Sequence, residues 1–174
     1  MSIFILQIFG CETLYSQTKE KECNDISILK ELSSEEITEL TNNAKIVVDY
    51  YKDKNPKIKR LYCPPTEVHF TGNCSFPLDF HNVKYYLAML FYDSNYKLKL
   101  KSNSDTLTYK KNPKMNIIRA ENVKNIFIFY GINPDRIEIV DLKDTNPMDN
   151  NKTKIGREWN KYVRMEISNF NYYE

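Results

Sequence analysis

Between Thr66 and Ile167 the apolar residues switch repeatedly between a period of two and a helical period. That alternation restricts the chain to a sheet covered by helices. The segment TEVHF puts Val68 and Phe70 on one face of a short strand. Residues 77–94, PLDFHNVKYYLAMLFYDS, carry Val83, Tyr86, Leu87, Leu90 and Phe91 at helical spacing. YKLKLKSNSD, residues 96–105, returns to period two with Leu98 and Leu100 inward. Residues 112–132 predict a second helix through Met115, Ile118, Val123, Ile126 and Phe127, stopped by Gly131. RIEIVDL is a third strand. A polar loop containing Asn146-Pro147 leads to a fourth, on which Val163, Met165 and Ile167 alternate. The expected class is α+β. The layout is a two-layer sandwich with a mixed four-stranded sheet and helices on one face, in the order β-α-β-α-β-β.

An amphipathic helix precedes this unit. Ser33 and Glu36 have the spacing of a capping box. Ile37, Leu40, Ala44, Val47, Val48 and Tyr51 form a stripe that reads as core or packing surface. A basic segment from Lys52 to Arg60 ends at CPP, which sets a boundary near residues 63–65. Residues 17–62 are thus a linker and the amphipathic helix, and residues 63–174 are the main domain.

The first 16 residues form a separate segment, with a short apolar run that turns abruptly polar. The run suits a secretory signal better than a membrane span, and no window in the chain holds the roughly 18 apolar residues that a span needs. Ile8-Phe9-Gly10-Cys11 resembles a bacterial lipobox, which would make Cys11 a lipidated N-terminus. Cleavage after Ser16 and a buried N-terminal strand are the other readings.

A net charge of +2 gives no basic footprint of a nucleic-acid binder. Cys23, Cys63 and Cys74 would remain after processing, an odd number, so the sequence does not fix a pairing. Cys63, His69, Cys74 and His81 lack the tight pairs of a zinc site, so no metal is expected. No cofactor is implied. No nucleophile–base pair, paired-acid motif or phosphate loop suggests an enzyme.

Four motifs in order carry a resemblance. Ser104-Asp105 stands where the OmpA-like peptidoglycan-binding domain family ends its second strand with Thr-Asp. Asn112, Met115, Asn116, Arg119, Ala120 and Val123 sit at the spacings of that family's second helix. GINPDRIEI resembles its Gly-Ile, Arg-Ile and strand. Gly156, Arg157, Asn160 and Val163 match its Gly-Arg-x-x-Asn-Arg-Arg-Val, with Lys161 for the first Arg of the pair and Tyr162 departing from the second. The family's acidic residue after the first strand is missing, since HFTGNCS offers Thr71 and Asn73 there.

The resemblance implies a divergent member that binds the meso-diaminopimelate of peptidoglycan non-covalently and tethers the outer membrane or an envelope complex to the wall. That ligand ends in an ammonium and a carboxylate on one carbon. Asp105 would accept from the ammonium, and Arg119 would give a forked pair of donors to the carboxylate. Asn112, as N-cap ahead of Pro113, would open the helix start toward the ligand. Asn160 and Lys161 would line the rim, while Arg157 reads equally well as structural. The implied location is the periplasm of a Gram-negative envelope, at the outer membrane, with envelope proteins as further partners. The other reading is a protein-interaction module that keeps the fold without wall binding.

Overall fold

The computed structural model describes residues 26–53, 66–78 and 81–168. The expected signal or lipoprotein segment, Cys11 and the boundary at 63–65 lie outside the described residues. No helix among the described residues is long and apolar enough to cross a membrane.

Helix α1 (Ser34–Asp53) opens with the capping box. Glu36 N–H donates to Ser33 Oγ at 3.2 Å, and Ser33 N–H donates to a Glu36 carboxylate oxygen at 2.8 Å. Its buried Ala44 and Val48 join the core alongside α2 (His81–Tyr92), which contributes Val83, Tyr86, Leu87 and Leu90. The helix ahead of the expected domain boundary thus packs into the same core.

Strands β1 (Glu67–His69), β2 (Lys97–Asn103), β3 (Ile137–Lys143) and β4 (Tyr162–Ser168) form one sheet in the order β1-β4-β2-β3. β4 runs antiparallel to both of its neighbours, and β2 and β3 pair in parallel. Val68, Leu98, Leu100, Val163, Met165 and Ile167 face the helices and are buried. On the other face, Lys101 pairs with Glu166 at 2.7 Å and Arg164 with Glu67 at 2.7 Å, as in a solvated sheet surface. The expected four-stranded mixed sheet is observed.

Helix α4 (Met115–Phe129) ends as Gly131 predicts. Gly131 takes φ +86° and donates to Ile128 O, and Ile132 N–H donates to Phe127 O. These are the two bonds of a Schellman motif, and only glycine takes that φ without strain. Beyond it, Arg136 donates to Leu90 O, Asp93 O and Tyr96 O, closing the carbonyl end of α2.

Three expectations are corrected. Two six-residue helices stand where the sequence predicts none: α3 (Thr106–Lys111) between β2 and α4, and α5 (Lys154–Trp159) before β4. Asn112 is the C-cap of α3 and not an N-cap, because its N–H still donates to Thr108 O. Helix α4 starts at Met115, with Lys114 in the cap position and no side-chain cap. Finally, Ile118 is 41% exposed, whereas Asn116 and Arg119 are fully buried. Polar residues hold the inner face of the first turns of α4, which shifts its phase from the apolar pattern.

Candidate functional site

Asp105 follows β2 directly. A register shift at Ser102/Asn103, opposite Lys143 at φ +58°, ends the pairing with β3. Ser104 N–H then donates to Lys143 O at 2.8 Å. The chain turns, and Asp105 becomes the N-cap of α3. Its Oδ1 accepts from Leu107 N–H and Thr108 N–H, both at 3.1 Å. The Asp105 side chain is 2% exposed, and Oδ2 has no hydrogen-bond partner among the described residues. A buried carboxylate oxygen left this way is costly unless something else satisfies it.

Arg119 presents the opposite charge. It is fully buried on α4, and its guanidinium lies 5.0 Å from the Phe70 ring centroid. Nε donates to Cys74 O at 3.0 Å and Nη2 to Gly72 O at 3.1 Å. Nη1 has no hydrogen-bond partner among the described residues. Burial pushes the Arg119 pKa down to about 10, while the Asp105 and Glu158 carboxylates pull it back up. The two carboxylates therefore act on the guanidinium electrostatically, yet neither caps Nη1. Cys74, whose carbonyl fixes Nε, is disulfide-bonded, and the other three cysteines lie outside the described residues.

The structure also brings Lys161 to this place. Its Nζ lies 3.9 Å from Asp105 Oδ2 and donates to Glu158 Oε1 at 2.7 Å. Glu158 Oε2 in turn accepts from Gly72 N–H at 3.3 Å. Glu158 is the residue that sequence reasoning missed. An acid is absent from the segment after β1, but α5 supplies one to the same loop. The signal was present as Glu158 three residues before Lys161.

Asn160 has another use. Its Oδ1 accepts from Met148 N–H and Asp149 N–H, and its Nδ2 donates to Asp149 O and Asn151 Oδ1. The amide is spent on the loop between β3 and α5. Tyr162 supports the same loop, donating its phenol to Asn146 O at 2.8 Å. Arg157 donates to Asn151 O and Lys152 O, consistent with its structural reading. Asn112 ends α3, and α3 is too short for its ends to serve as a charge device.

His69 lies on the opposite face of the sheet from Phe70, edge-on to Trp159 at 5.0 Å. Burial lowers its pKa below 6.5, against a smaller upward pull from Glu67. The unfolded chain therefore takes up the proton first. The stability held by neutral His69 is complete above about pH 6.5 and falls as the pH drops from there to the lower folded pKa. Chemical denaturation across this range should show that decline, and His69→Gln should flatten it. An equal slope in the variant would remove His69 as the cause.

No protein-family model and no curated protein matches the sequence. Solved structures do match the fold. The peptidoglycan-associated lipoprotein from Burkholderia pseudomallei aligns with a TM-score of 0.55 and 17% identity, over 69% of this chain and 100% of that one. The cell wall anchor of the T6SS from Pseudomonas aeruginosa aligns with a TM-score of 0.47 and 18% identity, over 68% and 94%. The OmpA-like domain of FopA1 from Francisella tularensis aligns with a TM-score of 0.45 and 12% identity, over 59% and 74%. The first of these establishes the fold: the described residues share the α+β architecture of that lipoprotein, a four-stranded mixed sheet covered by helices.

Proposed function

We propose that this domain binds peptidoglycan without covalent chemistry, through the diaminopimelate of the stem peptide. One observation carries the reading. A buried carboxylate and a buried guanidinium each keep one polar atom without a hydrogen-bond partner among the described residues. A ligand that presents an ammonium and a carboxylate on one carbon satisfies both. Asp105 Oδ2 takes the ammonium and Arg119 Nη1 takes the carboxylate, each as a charge-assisted bond. The fold supports peptidoglycan as the target, since a solved protein with this architecture is named for its association with peptidoglycan.

The roles divide accordingly. Asp105 and Arg119 touch the ligand, Lys161 borders it, and Asn160 and Asn112 act by placing the loop and the end of α3. Binding of this kind needs no cofactor and no reaction step. It tethers the chain to the wall in the cell envelope, and lipidation at Cys11 would add an outer-membrane anchor. Co-sedimentation of the full chain with purified diaminopimelate-type sacculi tests the reading. The protein should pellet with the sacculi and be released by soluble stem peptide. If it stays in the supernatant, the fold serves instead as a protein-interaction module of an envelope complex.

A further inference from the structure

The site contains a cation of its own. Lys161 is nearly buried, with its side chain 7% exposed, and its ammonium lies 3.9 Å from the oxygen of Asp105 that has no hydrogen-bond partner among the described residues. That distance is too long for a hydrogen bond. The bond goes instead to Glu158, at 2.7 Å, whose side chain is 36% exposed. Glu158 is itself tied to Gly72 N–H at 3.3 Å. The more solvated carboxylate thus restrains the ammonium beside the buried one. An ammonium arriving on Asp105 Oδ2 would stand a few ångströms from Lys161 Nζ, where like charges repel strongly in a partly desolvated site.

We propose that Lys161 is an internal competitor for the cation position on Asp105, and that Glu158 sets the strength of that competition. The pair then determines how well the site accepts a ligand's ammonium. The proposal rests on the wall-binding reading in one respect, that Asp105 receives this ammonium.

The two ends of the one ion pair should have opposite effects. Lys161→Met removes the competing charge and keeps the aliphatic stem that fills the space. Glu158→Gln keeps the size and an acceptor for Gly72 N–H, but releases Lys161 toward Asp105. A Lys161–Glu158 pair that only held the structure together would shift affinity in the same direction from either end.

The test is calorimetric titration of the full chain with the tripeptide L-alanyl-D-glutamyl-meso-diaminopimelate. Lys161→Met should bind about tenfold tighter than the parent and Glu158→Gln about tenfold weaker. The double variant should bind like Lys161→Met, because Glu158 then has no ammonium to restrain. Loss of affinity in Lys161→Met overturns the proposal. So does an equal weakening by Glu158→Gln with Lys161 absent, which would mean that Glu158 acts only through its own charge.

A second measurement needs no ligand. A denaturant double-mutant cycle between Lys161→Met and Asp105→Asn should show a larger coupling in the Glu158→Gln background than in the parent. Unchanged coupling also overturns the proposal. Failure of parent and variants alike to bind the tripeptide would instead sink the wall-binding reading, and the cycle would still decide the place of Lys161.

Discussion

Asp105→Asn should leave the domain folded and release it from sacculi. The substitution separates two tasks of one side chain. Asparagine caps helices about as well as aspartate, so the bonds to Leu107 N–H and Thr108 N–H survive. What disappears is the negative charge proposed to receive the ligand's ammonium. A hydrogen bond to a charged group contributes about 1.5–3 kcal/mol, which makes the loss at least about tenfold in affinity. Arg119→Lys should act alike from the other side. It keeps a positive charge, but one ammonium cannot reach Cys74 O and Gly72 O and still serve the ligand's carboxylate. Sedimentation with sacculi, read beside circular dichroism, checks both variants. If both pellet as the parent does, the assigned site is wrong.

Gly156→Ala should destabilise the fold by an amount visible in a melting curve. A Cβ at Gly156 would meet the Asn150 carbonyl oxygen at 2.1 Å, with Asn150 C and Thr153 Oγ1 at 2.9 Å. The main obstacle is backbone, so it cannot swing aside as a flexible side chain would. Overpacking costs about 3 kcal/mol at the upper end of its usual range. Alanine's better helix propensity returns only about 1 kcal/mol. The packing term wins, leaving about 2 kcal/mol, or roughly 4–8 °C in Tm for a chain of this size. The displaced segment is the loop that Asn160 and Tyr162 hold, so tripeptide binding should weaken too. A Tm unchanged from the parent would mean that the loop gives way at no cost.

Much of the architecture was legible because one face of each element is apolar. Leu98 and Leu100 on β2, and Val163, Met165 and Ile167 on β4, have the alternation that a half-buried sheet requires, and all are buried. The capping box at Ser33 and the glycine stop at Gly131 were equally plain, since each is a local bond that needs particular residue types. Helices α3 and α5 were not legible. With six residues apiece they complete fewer than two turns, too little for a period to show. They are specified by their caps, Asp105 and Thr153, instead of by a stripe.

Helix α4 misled for a different reason. Its pattern favoured Ile118 as core, but the inner positions belong to Asn116 and Arg119. A polar side chain buried on a helix face breaks the period at the position where the candidate site lies. The positions of Asp105 and Arg119 came from the resemblance, whereas the atoms of theirs that lack a hydrogen-bond partner among the described residues came only from the structure. Glu158 escaped notice because its tie to Gly72 joins segments 86 residues apart in the chain.

The central claim is that a zwitterion bridges Asp105 and Arg119. Three matched stem peptides test it most directly, titrated calorimetrically into the full chain: free meso-diaminopimelate, lysine, and amidated diaminopimelate at the third position. The lysine peptide keeps the ammonium and lacks the adjacent carboxylate, leaving Arg119 Nη1 unpaired. The amidated peptide brings donors toward a guanidinium that has only donors. A site with buried polar groups rejects analogues that leave those groups unmatched. The expected result is a preference of at least about tenfold for the free diaminopimelate peptide over both others. Equal affinity for all three would contradict the claim, because Arg119 would then not be reading the carboxylate.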